Sequence, residues 1–218
     1  IDKTGKYVIN PQFPWALPFS EGLAPIEIKG KFGYIDKTGK IVIKADFDSA
    51  FSFSEGLAPA EIDEKWGYID RTGKFVVDPQ FLWTFPFSEG MARIEVGGKY
   101  GYIDKTGKIV IKPQFDWTLG VFSDVQASIW LGTRYGYIDK KGRYVIDPRF
   151  ALAGAFSNGL ACVKIDGKYG YIDKEGKYVI SPQFVYAFRF SRGLASVELG
   201  DKRGYIDKQG KYIWEPTD

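Results

Sequence analysis

The 218-residue chain is 44% hydrophobic and 17% aromatic, enough apolar side chain to build a core and too much for a disordered segment. Its formal net charge is +3, from 30 Lys and Arg against 27 Asp and Glu. The cations are spread evenly through the chain, so no basic tract marks a nucleic-acid surface. A single cysteine, Cys162, rules out an intrachain disulfide framework, and histidine is absent. No apolar run approaches a membrane span and no signal-peptide pattern is present.

In chain order, the same stretch returns at a fixed interval. Gly-Tyr-Ile-Asp begins at Gly33, Gly67, Gly101, Gly136, Gly170 and Gly204, and an incomplete copy opens the chain at Ile1-Asp2. A period of this size signals a repeat architecture. The units are 1–34, 35–68, 69–102, 103–137, 138–171 and 172–205, with 206–218 starting a seventh. The only methionine is Met91 and residue 1 falls inside a repeat, so upstream sequence is expected to have been removed by processing or by the choice of boundaries.

Each copy starts as a hairpin. Aromatic and β-branched residues flank a polar turn such as Asp104-Lys105-Thr106-Gly107. The aspartate can accept bonds from turn amides, and the glycine supplies the positive φ that residues with a Cβ resist. One aspartate per unit does not make the dense oxygen cage of a calcium site, so no metal is expected. The second hairpin strand, such as Lys40-Ile41-Val42-Ile43, leads to Pro-Gln-Phe at Pro11, Pro79, Pro113 and Pro182. Proline there ends the strand or marks a sheet edge. An aromatic segment follows and closes with Phe-Ser-Glu-Gly-Leu-Ala, as at 53–58. A third strand then alternates, with Ala24, Ile26 and Ile28 on one face and Glu27 on a solvent face that also carries Glu61, Glu95 and Glu198. A tight turn returns the chain to the next copy. The fold expected is all-β: tandem antiparallel meanders of three strands, with the aromatic segment a candidate fourth and no helix longer than a turn or so.

The run Lys65-Trp66-Gly67-Tyr68-Ile69-Asp70-Arg71-Thr72-Gly73-Lys74, followed by Phe87-Ser88-Glu89-Gly90-Met91-Ala92, resembles the bacterial WG (KWG) repeat. The Trp slot reads Phe32, Trp66, Tyr100, Tyr135 and Tyr169, and departs to Arg203 in the last unit. The resemblance implies a bacterial source and an interaction module of multidomain, secreted or surface-associated proteins. A secreted or cell-surface location is favoured by the resemblance alone, and no catalytic residue is carried over.

Stacking identical units about 4.8 Å apart would align like charges, such as Asp36 over Asp70 over Asp104, which destabilises a sheet. Each unit is therefore expected to form its own small sheet, packed face to face on its neighbours at about 10 Å. An open, curved, solenoid-like array and a six-bladed propeller-like ring both satisfy this. Hairpin-strand segments at both ends, of which a ring needs one, favour the open array.

No cofactor and no enzyme activity are expected. Acid–base catalysis usually draws on histidine or on carboxylates in unequal environments, and the carboxylates here repeat with the period. Ser20-Glu21-Gly22 is no nucleophile elbow, and Cys162 has no histidine to activate it. The informative positions break the period. Two residues past the Pro-x-Phe phenylalanine the chain reads Trp15, Ser49, Trp83, Trp117, Leu152 and Tyr186. In the fourth unit, which carries one extra residue, Trp130 stands where four others place glutamate. Trp15, Trp83, Trp117, Trp130 and Tyr186 are therefore the candidate partner-binding residues, and gap-filling between units is the competing role of the slot aromatics. Three functions follow: a scaffold binding protein, a lectin-like module in which Gln12, Gln80, Gln114 and Gln183 help hold sugars, or a self-associating structural subunit of a surface assembly. Membrane insertion and nucleic-acid binding are not expected.

Overall fold

A computed structural model describes residues 3–118 and 122–214. The opening Asp2 turn and the position of the fourth unit's extra residue, at 119–121, lie outside them. The described residues form strands, bridges and turns, with no helix long and apolar enough to cross a membrane.

Six antiparallel sheets follow one another along the chain. The first comprises Leu23–Ile28, Lys31–Asp36 and Ile41–Phe47. Its would-be fourth strand is reduced to a bridge between Ala16 and Ile26. The second comprises Ser49–Ala50, Ala58–Ile62, Lys65–Ile69 and Phe75–Phe81. The third comprises Trp83–Thr84, Ala92–Val96, Lys99–Ile103 and Ile109–Phe115. The fourth comprises Trp117–Thr118, Gln126–Leu131, Arg134–Asp139 and Tyr144–Phe150. The fifth comprises Leu152–Ala153, Ala161–Ile165, Lys168–Ile172 and Tyr178–Phe184. The sixth comprises Tyr186–Ala187, Ala195–Leu199, Lys202–Ile206 and Tyr212–Trp214. Strands lie in each sheet in chain order, a plain meander. The chain divides into two compact units, Ile1–Gly97 with Gly101–Ile109, and Gly98–Tyr100 with Val110–Asp218.

The expected fourth strand exists, as the first two residues of the aromatic segment. Each sheet takes residues from two consecutive sequence units, because the third strand pairs across its tight turn with the next Gly-Tyr-Ile strand. Ile62 opposes Lys65, and Ala58 opposes Ile69. The Gly-Tyr-Ile-Asp hairpin thus closes a sheet rather than opening one.

Turn chemistry is as the composition predicts. The Asp36 carboxylate accepts from the Thr38 amide (2.8 Å), the Thr38 hydroxyl (2.6 Å) and the Lys40 amide (3.1 Å). Gly39, at φ +88°, donates to the Asp36 carbonyl. Asp70 and Asp104 repeat the arrangement. Proline marks an edge rather than a strand end. Pro79 lies inside the outermost strand of the second sheet, at a bulge where Val77 to Phe81 span only Tyr68 to Trp66. A bulge on an edge strand is where a residue without an amide proton can sit. The bulge presses on the glycine that follows the Trp-slot residue: a Cβ on Gly170, after Tyr169, would lie 2.6 Å from the Ile180 carbonyl oxygen.

Within each compact unit, cores lie between successive sheets. Tyr34, Ile43 and Phe47 of the first pack on Phe53, Ala58 and Ile69 of the second. Tyr137, Ile146 and Phe150 of the fourth pack likewise on Phe156, Val163 and Ile172 of the fifth. Polar groups at these interfaces are spent on joining sheets. The repeated tyrosine donates to a carbonyl of the next sheet: Tyr34 to Phe51 (2.8 Å), Tyr137 to Gly154 (2.7 Å) and Tyr171 to Phe188 (2.8 Å). Ser20 and Ser54 donate to the carbonyls of Phe53 and Phe87, each at 2.7 Å. Glu21 and Glu55 accept from the amides of Gly56 and Gly90 at 3.1 and 3.0 Å. Ser-Glu-Gly is a clip between neighbouring sheets.

One expectation needs correction. The third strand does not present a free solvent face. Pro25 is buried, and Glu27, Glu61, Glu95 and Glu198 are half-buried. Burial, reinforced by the nearby Asp48 and Glu64 charges, raises the Glu61 carboxyl above its usual range. Phe32 stands opposite Glu27, Trp66 opposite Glu61 and Arg203 opposite Glu198 on this face.

Candidate partner-binding surface

The two-residue strand holds the variable aromatic slot, and the cross-strand register fixes what stands beside it. In the fourth sheet Trp117 opposes Trp130, Trp130 opposes Tyr135 and Tyr135 opposes Phe150. Directly opposed residues share one face of an antiparallel sheet. The equivalent row is Ser49, Glu61, Trp66 and Phe81 in the second sheet, and Leu152, Lys164, Tyr169 and Phe184 in the fifth. Each row ends on a buried phenylalanine at the outer strand and reaches solvent at the slot.

Trp15, Trp83 and Trp117 are 38%, 40% and 39% exposed, and Tyr186 is 54% exposed. None is a bare platform. Trp15 lies edge-on to Phe32, with centroids 5.2 Å apart. Trp83 packs on Trp66 and Trp117 on Tyr100, both at 5.2 Å, and Tyr186 stacks on Tyr169 at 6.2 Å. Apart from Trp15, each slot ring therefore rests on the Trp-slot ring of the preceding sheet while part of its surface faces water. Gap-filling and exposure are both present in the same side chains.

The fourth sheet is different. Trp130 is half-buried and stacks on Tyr135, with centroids 6.2 Å apart and planes 22° apart. Tyr100, Trp117, Trp130 and Tyr135 form one contiguous cluster within the second compact unit. Of the five candidate residues, Trp117 and Trp130 are brought together. Trp15 and Trp83 belong to the first compact unit, and Tyr186 keeps company with Tyr169. The Gln80 amide donates to the Asp78 carbonyl at 3.3 Å, bracing its own strand at the bulge.

Two contributors were missed in the sequence. Phe51 stacks on Trp66 at 5.0 Å and 14°, and Arg93, buried, lays its guanidinium 3.6 Å over the Phe85 ring. Both sit at variable positions of the period, and only alignment of the units on the sheet register would have paired them. Cys162 is buried, its sulfur 3.4 Å from the Ala187 carbonyl, and burial pushes its thiol up to about 12. A thiol held that far from ionisation is a poor nucleophile.

No curated protein sequence matches the chain. Solved structures similar to it in fold include Hsv2p of Kluyveromyces lactis, at 9% identity and a TM-score of 0.52, over 88% of this chain and 73% of that one. A form of the same protein with loop 6CD replaced by a Gly-Ser linker matches at 9% identity and a TM-score of 0.51, over 91% and 79%. At such identity the likeness is one of fold. The sequence pattern of the WG containing repeat matches residues 1–32, 32–66, 66–100, 100–124, 135–169 and 169–202, lapsing over 125–134, the stretch that carries Trp130. Six tandem matches along six tandem sheets leave a single reading: the chain belongs to the WG-containing-repeat family.

Proposed function

We propose that this chain is a non-enzymatic repeat scaffold that binds a protein partner through the aromatic row of its fourth sheet. The observation that carries the reading is Trp130. It occupies the position where four sheets place a glutamate, it is half-buried beside the exposed Trp117, and it lies where the family pattern lapses. Elsewhere the period keeps its polar side chains busy in turns and inter-sheet clips; here it gives way to a large ring beside another. Aromatic rings with one covered and one open face are the residues that anchor protein interfaces.

Trp130→Glu tests this without threatening the fold, since it restores the residue that four of the other sheets carry. Light-scattering mass is measured against concentration for both forms, and both are applied to peptide and glycan arrays. The scaffold reading expects a monomer at all concentrations and peptide binding that the variant loses. Concentration-dependent growth abolished by the variant would transfer the row to self-assembly. Glycan binding with the same sensitivity would make the module lectin-like.

A further inference from the structure

The face of the fifth sheet lacks a ring that the second, third and sixth sheets carry. Phe51 covers Trp66 in the second sheet, and Phe85 lies under Arg93 in the third. Phe188 holds the corresponding place in the sixth. In the fifth sheet that place is Gly154, followed by Ala155, and Cys162 stands where Pro59 and Arg93 stand elsewhere. The missing ring leaves an open groove of about 510 Å³ at Gly154, walled by Leu152, Ala155, Cys162, Tyr169, Phe188 and Arg189. That volume falls in the range of small-molecule sites. Phe188 is 63% exposed beside it.

The charge around the groove is also reversed. Lys164 replaces the glutamate of the row and holds its ammonium 4.9 Å over the Tyr169 ring. Arg189 replaces Pro18 and Pro86 and has no ion-pair partner among the described residues. Glu198 in the sixth sheet is already engaged by Arg203 at 3.1 Å.

We infer that this groove binds an aromatic carboxylate: its ring occupies the space that the absent phenylalanine leaves beside Tyr169, and its carboxylate meets Arg189 and Lys164. The protein itself supplies the template, since Phe51 on Trp66 shows a ring stacked at the equivalent place of the second sheet. A guanidinium matches a carboxylate in both charge and hydrogen-bond geometry. The site is separate from the Trp117–Trp130 row, so its fate does not depend on that of the proposed scaffold function.

The test is calorimetric and NMR titration of the whole chain with 3-phenylpropionate, with its neutral amide, and with a short peptide ending in phenylalanine. Gly154→Phe closes the groove with the ring that the second, third and sixth sheets carry. It is sterically permitted, because a Cβ at Gly154 meets just the Cys162 carbonyl oxygen, at 3.4 Å, and the backbone there is outside the left-handed region. The expected result is millimolar or tighter binding of the acid, lost in Gly154→Phe and weakened about tenfold in Arg189→Gln, with weaker binding of the amide indifferent to Arg189. Tighter binding of the peptide than of the acid would identify a chain terminus as the ligand's source, and the reverse a free acid; either supports the site. Absence of acid binding, or binding that survives Gly154→Phe, overturns it.

Discussion

Cys162 shows how the surroundings of a residue, more than its type, decide its chemistry. Its thiol is covered and its thiolate has lost the water that would stabilise it, so the proton stays on until about pH 12. Ellman's reagent at pH 8 should label the native protein far more slowly than the guanidinium-unfolded one, where the thiol returns to an ordinary value. Equal rates would mean that the cysteine is open. The buried tyrosines behave alike: burial raises the Tyr68 hydroxyl well above its usual range, outweighing hydrogen bonds that link it to Thr84 and Phe85. These groups hold sheets together as neutral donors.

Within a sheet, two kinds of glycine do different work. Gly170 leaves room for the bulge around Pro182, and any side chain there must displace backbone. Gly56 has open space around it but sits at φ +87°. Gly170→Ala is therefore expected to cost about 3 kcal/mol or more through overpacking, and Gly56→Ala about 1–2 kcal/mol through left-handed strain. Urea unfolding midpoints check the order, and a Gly170→Ala protein as stable as Gly56→Ala would refute the bulge account. The hairpin, its Asp-Gly turn and the edge proline were all legible in the sequence, because they depend on backbone preferences of a few adjacent residues. The short strand at Ser49–Ala50 and its copies was less so, since two residues carry no periodicity of their own. The half-burial of Glu27 and Glu61 was not legible, because it depends on the pairing that sets Phe32 and Trp66 opposite them, and alternation alone does not show that register.

At the scale of the whole molecule, the hairpin-turn carboxylates of Asp36, Asp70, Asp104 and Asp139 are all held below their ordinary value. The hydrogen bond from the Thr38 side chain, joined by those from the Thr38 and Lys40 amides, holds the Asp36 carboxyl below its ordinary 3.8 against an opposing cost of desolvation. Asp70 and Asp104 follow through Thr72 and Thr106. Lys99 and the Gly132 amide lower Asp116 in the same way. A folded-state value below the unfolded one means that the stabilisation is complete above the unfolded value and is lost as pH falls through the folded one. The urea midpoint should thus hold steady on the acid side down to about pH 4 and decline below it. Replacing Asp36, Asp70 and Asp104 together by asparagine should flatten that decline, and an unchanged acid limb would remove the turns from the account.

What the sequence by itself determined is whatever a single unit specifies: the all-β repeat, the hairpin turn, the edge proline, and the family. Each arises from residues within about ten positions of one another, or from a period that needs no coordinates to count. What the tertiary structure decided is which side chains meet. It assigned Ser-Glu-Gly to clipping sheets together, set Trp130 beside Trp117, and stacked Phe51 on Trp66 while leaving Gly154 open. The physical reason is register. A row across a sheet joins residues from four strands, and a core joins two sheets, so the neighbours of any ring are fixed by pairing over tens of residues rather than by the local chain.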